Sequence, residues 1–257
     1  MAWTTFPYRE TSYAYPGKAL EKNWQRLHGG DCEPFPADTQ VQEAWRHYHA
    51  GDFALAVEAG LACGLSGYNV ANKAAVVYAS YLETDDAVKR RLLLEAAQRG
   101  EEQQHRTPED VNGWYLHAFA LGRYSQSISV AKALAEGLGG KIKHSLNKTL
   151  ELAPRHADAR VALGAYHAEV IDKVGALVGG LTYGAKKDTG KDLLESALQL
   201  NPESAIARIE YANALVMMFG RSKMKEAERL YQEAAACQPM DAMERLDVEA
   251  AKAELAE

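Results

Sequence analysis

The feature that most constrains this chain is a helix ending that recurs. Leu150-Glu151-Leu152-Ala153-Pro154 is echoed by Leu198-Gln199-Leu200-Asn201-Pro202 and, more loosely, by Ala235-Ala236-Cys237-Gln238-Pro239. Each is an amphipathic run closed by a small or polar residue and then proline. Proline lacks the backbone N–H and its ring clashes with the preceding turn, so it cannot continue the helix it follows. A new helical run opens a few residues later each time, at Ala157, Ala205 and Ala242. The prolines stand 48 and then 37 residues apart. A pair of helices fits each interval, with an added segment in the first. Alanine, the best helix former, supplies 44 of the 257 residues. No run of alternating β-branched residues competes with the helical period. The pattern predicts an all-α fold of stacked helix hairpins.

The interval matches the tetratricopeptide repeat (TPR), a helix hairpin of about 34 residues, with insertions in both units. In the unit opening at Ala157, Leu163-Gly164 occupy the close-packing positions of the first helix, and Leu194, Ala197 and Pro202 follow in the second. In the unit opening at Ala205 the equivalents are Tyr211-Ala212, then Ala227, Tyr231, Ala234 and Pro239. Small residues let helix backbones approach and large ones fill the gaps between them. The resemblance implies a right-handed α-solenoid of TPR-like hairpins.

Earlier hairpins are read from period alone. Gln42–Gly64 turns at Gly51-Asp52-Phe53, and residues 70–82 pair with 86–105. Pro108 opens a helix carrying Trp114, Ala118 and Leu121, and its partner runs to Leu152 with a break near Gly137, Gly139 and Gly140. Residues 241–255 form a polar helix that caps the C-terminal end of the stack. Residues 1–37 differ, with Trp3, Phe6, Tyr8, Tyr13, Tyr15, Trp24 and Phe35 among four prolines. Exposed, those rings would be costly, so they are expected to dock as an arm on a solenoid spanning 38–257.

Lys141 to Leu146 leading into Leu150–Pro154, then His156–Ala159, Leu163–His167 and a long apolar insertion before Leu194 carry a closer likeness. Trp114 to Pro239 resembles the TPR-like family named after regulators of microtubule dynamics, and also the bacterial TatT-like proteins associated with TRAP transporters. This implies a TPR-like superhelix and a non-enzymatic role in a protein of bacterial type.

A net charge of −6 gives no basic footprint, which disfavours a nucleic-acid partner. Cys32, Cys63 and Cys237 are far apart and form neither a disulfide framework nor a zinc spacing. The start reads as no signal peptide, no lipoprotein-type cysteine stands near it, and no run of 18 apolar residues occurs. A cytoplasmic protein without a membrane span is expected.

Candidate chemistry is thin. Gly179–Lys191 has glycines and lysines but misses the phosphate-loop register, and Asp192 stands where a hydroxyl is needed. It reads as an inter-helix loop, with Asp188 or Thr189 capping the next helix. His47 and His49 lie two apart on a helix and point away from each other. His144, His156 and His167 sit on separate elements, so histidines that are solvated or hydrogen-bonded are expected and no metal or other cofactor is assigned. Cys63 reads as a small hydrophobe. Glu101-Glu102 reads as a solvated pair. Lys141, His144 and Lys148 share a helix face that could meet an anion, although a solvated face near a helix C-terminus explains them as well. No enzyme is expected.

In TPR proteins the first helix of each unit lines a concave groove. The matching positions here give Tyr115 and Phe119, then Val161 and Ala165, then Ile209, Asn213, Val216 and Met217. This wall is apolar, whereas a chaperone-tail clamp needs basic residues and Asn there; only Asn213 matches. The expected function is a scaffold that binds a protein or peptide segment in an apolar groove. The alternative is a carrier whose groove and 168–190 insertion enclose a small hydrophobic molecule. The insertion would then act as a lid or a permanent plug.

Overall fold

A computed structural model of the chain describes residues 3–256; the arm's first two residues and Glu257 lie outside it. Among the described residues there are fourteen α-helices, three short 3-10 turns and no strand. The all-α expectation holds. No helix among them is long and apolar enough to cross a membrane. The described residues fall into two compact units: 3–28, 32–153 and 240–243 form the first, and 29–31, 154–239 and 244–256 the second.

The first unit begins with α1 (Ala19–Leu27), α2 (Thr39–Ala50), α3 (Phe53–Ala62), α4 (Tyr68–Tyr81) and α5 (Asp86–Arg106). It continues with α6 (Val111–Gln126), α7 (Val130–Ala135) and α8 (Leu138–Leu152). From α2 to α6 each helix packs on its neighbour in sequence, and α6 then packs on α8. Gly51 ends α2 in the left-handed conformation (φ +84°) that lets the chain reverse into α3. Helix α4 is buried nearly all round, Asn69 to Ala79 without interruption, because helices pack on several of its sides. Asp85 and Asp110 accept hydrogen bonds from the first free amides of α5 and α6. The break expected between α7 and α8 falls at Gly137 (φ +65°) alone; Gly139 and Gly140 lie inside α8.

Aromatic residues between 3 and 28 pack within this unit. Phe6 is buried edge-on against Phe53, and the Thr4 amide donates to Tyr78 Oη at 3.0 Å. Trp24 stacks on His28 and meets Trp45 edge-on at 5.7 Å.

The second unit holds α9 (Ala157–Val174), α10 (Ala176–Tyr183), α11 (Lys187–Leu200), α12 (Ala205–Phe219) and α13 (Met224–Ala235). It also takes all but the first two residues of α14 (Ala242–Glu254). Helix α9 packs on α11 and α12, and α12 on α13. A Cβ on Gly164 would sit 2.6 Å from Leu194 Cγ, so a side chain cannot fit between α9 and α11. Ala197 and Ala234 are fully buried. Gly190 is a further packing position that pattern-matching missed, since its added Cβ would meet His167 Cβ at 3.0 Å. Its signal was there: a small residue four before Leu194, matching Ala227 before Tyr231. Helix α14 is less polar than its composition suggested, because Val248 and Ala251 are buried against Ile209 and Ala234.

Candidate functional site

The positions expected to line a groove are described within each unit. In the first, Tyr115 and Phe119 are one turn apart on α6, and their rings stack at 5.9 Å and 11°. The Arg123 guanidinium lies over the Phe119 ring at 5.6 Å and continues the ladder one turn further. Tyr115 is buried and Phe119 half-buried, so Phe119 is the accessible ring.

In the second unit Val161 is buried in the core cluster of α9, α11, α12 and α13, and Val216 is packed half-buried against it. Ile209 belongs to a different cluster, with Ala205, Ala234, Val248 and Ala251. Asn213 is half-buried and accepts a hydrogen bond from Tyr231 Oη at 2.7 Å, which ties α12 to α13. Ala165 is half-buried, and Met217 is 39% exposed. The accessible part of the expected wall is therefore Ala165, Val216 and Met217, while Val161 and Ile209 serve packing.

The 168–190 insertion is helical for most of its length. Gly179–Tyr183 lie in α10, and Asp188 and Thr189 lie in the first turn of α11, where neither caps it. The free amide of Lys186 donates instead to His167 Nδ1 at 3.0 Å. That corrects the expected cap: a side chain from α9 does the work that a local Asp or Thr would otherwise do. His156 acts likewise for α9, accepting from the Ala159 amide at 3.0 Å.

One arrangement of reactive residue types was not anticipated. The Ser145 hydroxyl is hydrogen-bonded to His117 Nδ1 at 2.8 Å, and His117 Nε2 lies 3.6 Å from Glu101 Oε1. A serine, a histidine and a carboxylate in line are the parts of a hydrolase triad. Here Ser145 is only 1% exposed and also accepts from Gln104 Nε2 at 3.2 Å, in the seam where α6 packs on α5 and α8. A nucleophile needs a neighbouring space for a carbonyl carbon and an oxyanion, and this hydroxyl is enclosed by helix. The cluster is a three-helix polar link. Burial holds the His117 imidazole below the ordinary histidine pKa, with Glu101 opposing the shift.

The other polar groups are engaged structurally. Asn69 donates to Glu33 (3.1 Å) and Asp110 (3.3 Å), and Gln103 joins them by donating to Asn69 Oδ1 at 2.8 Å. Glu102 accepts from Tyr68 Oη and Arg106, while Lys148 pairs with Glu151 at 2.8 Å. His144 is exposed and meets Trp114 edge-on. Burial pushes the Cys63 thiol up, away from the reactive thiolate. Among the described residues no group of three or more His, Cys, Asp or Glu side chains is placed to hold a metal.

No protein-family model matches the sequence. No curated protein matches it either. Among solved structures, the chain is similar to a thermophilic TPR protein of Thermus thermophilus. The TM-score is 0.59 at 17% identity, over 84% of this chain and 98% of that one. The likeness gives the fold: this chain is a TPR-like helical repeat protein.

Proposed function

We propose that the protein is a non-enzymatic scaffold that binds a protein or peptide segment along the first-helix faces of its repeats. The TPR-like fold supports the coarse reading, since stacked hairpins of this kind present extended binding surfaces. The observations that carry the finer one are made within each unit: Phe119 on α6 is half-buried in the first, and on α12 in the second Val216 is half-buried and Met217 exposed. These side chains can be desolvated by a partner and offer no acid, base or metal ligand. Met217 adds an adaptable thioether, and such walls suit the apolar stripe of an amphipathic helix. In this reading the arm, residues 1–37, is packed on the repeat array (38–257) as structural cover. The family likeness to regulators of microtubule dynamics and TatT-like proteins belongs to the same proposal, as does a bacterial, cytoplasmic setting.

The test is selection of displayed amphipathic peptides against the full chain, repeated with Met217→Asp and with Phe119→Ala. Both sites are accessible enough for the variants to fold. Selected peptides should lose at least tenfold in affinity for one or both. Unchanged binding of every peptide to both variants would remove these faces as the binding surface.

A further inference from the structure

Helix α10 stands apart from the other elements of the second unit in what it leaves uncovered. Among the described residues Leu181 (82%) and Leu177 (76%) are the two most exposed large hydrophobic side chains, and Val178 beside them is 50% exposed. At about 100° per residue the three fall within a roughly 100° arc of the helix. The opposite side carries Gly179 and the half-buried Tyr183. A Cβ on Gly179 would meet Val170 Cγ1 at 3.2 Å and Ala185 Cβ at 3.7 Å, so α10 is seated on α9 at Gly179. Gly175 (φ +81°) and Gly184 (φ +62°) bound it in conformations that other residues adopt poorly. The short helix therefore turns Gly179 inward and Leu177, Val178 and Leu181 to solvent.

We infer that α10 docks on a lipid surface, dipping Leu177, Val178 and Leu181 into the headgroup–acyl boundary of a neutral bilayer. Size and shape favour this occupant. Three side chains at these exposures make a patch on the order of 350 Å², typical of a functional patch on a monomer. A standard interface with a folded partner or a second copy needs about 800 Å² per side and a complementary surface. A bilayer boundary accepts a convex apolar protrusion without shape complementarity, and its grip scales with the apolar area buried.

The flanks fit as well. Lys173 before α10 pairs with Glu169 at 2.9 Å and Lys187 after it lies over the Phe219 ring, while the exposed Lys186 can lay its alkyl stem along apolar surface with its ammonium at the headgroups. Glu169, Asp172 and Asp188 balance the three lysines, which points to zwitterionic rather than anionic lipid. At about 1.5 Å per residue, eight residues span about 12 Å, so the helix lies in the boundary and does not cross it.

The experiment is flotation of the full chain with phosphatidylcholine vesicles, beside the double variant Leu177→Asp/Leu181→Asp. Both positions are exposed, so the variant should melt as the parent does. The parent should float, largely independent of salt, and the variant should partition at least tenfold less. Leu181→Trp gives a second readout, since the added indole should shift its emission to the blue when vesicles are added. A parent that stays unbound, a double variant that floats equally, or an unshifted indole would each overturn the proposal. So would a dimer without lipid that the double variant dissociates, because the patch would then belong to a second copy. The Phe119 and Met217 variants leave α10 intact, so the two proposals fail separately.

Discussion

His49 and Asp241, 192 positions apart in sequence, meet in the interior of the first unit with Nδ1 2.8 Å from a carboxylate oxygen. His49 is fully buried and Asp241 nearly so. Two further bonds hold the same returning segment: Tyr15 Oη donates to the Met240 carbonyl at 2.6 Å, and Tyr48 Oη to Met243 Sδ at 2.9 Å. The first unit is thus completed by four residues, 240–243, that the chain reaches only after it has traversed most of the second.

Removing that link should destabilise the first unit. Asp241→Ala leaves the His49 Nδ1–H buried without its acceptor, a loss of about 1–3 kcal/mol. Urea unfolding followed by Trp fluorescence should report it, because Trp24 and Trp45 surround His49. A chain truncated after Pro239 should show the same loss or a larger one. An unchanged midpoint in both would mean the returning segment does not contribute.

Gly164→Leu should overpack α9 against α11, because the first added carbon already falls 2.6 Å from Leu194 Cγ and 3.0 Å from the Gly190 carbonyl. The cost expected is about 1–3 kcal/mol or more, seen as a lowered Tm in calorimetry. A Tm equal to the parent's would contradict the packing described.

Ser204→Ala should cost about 0.5–2 kcal/mol. Its buried hydroxyl accepts from the Ala207 amide at 3.1 Å and so satisfies a free donor at the start of α12. Ser204→Asp, which can also cap, should recover most of the loss in the same thermal melts.

The first unit should lose stability as pH falls below about 6.5. Burial depresses the folded pKa of His117 below its ordinary value of 6.5; Lys141 and His144 add to the shift and Glu101 opposes it. The unfolded chain therefore takes up the proton first, and stability falls between the unfolded pKa and the lower folded one. Denaturant midpoints measured from pH 7.5 down to 5.5 should fall for the parent. They should fall less for His117→Gln, whose amide can still hydrogen-bond Ser145 without titrating. Parallel profiles would assign the pH dependence elsewhere.

The repeat was legible in the sequence because its determinants are local. A proline stops a helix wherever it stands, as at Pro154, Pro202 and Pro239, and the small and large residues of a hairpin recur at helical spacing, as at Gly164, Leu194 and Ala197. Those features determined the all-α hairpins and most helix ends. Tertiary structure decided what each face meets. Ile209 has the position of a groove residue, yet Val248 and Ala251 of α14 cover it, and the order of residues along α12 says nothing of α14. Lys186 lacks a local cap because His167, 19 residues earlier, supplies the acceptor. The apolar insertion was read as a lid or a plug; which of its side chains turn inward was decided by packing, which seats Gly179 of α10 on α9 and leaves Leu177, Val178 and Leu181 exposed. Local period sets which residues share a face. Only the packed chain decides whether that face meets water or protein, because burial depends on surfaces brought from distant parts of the sequence.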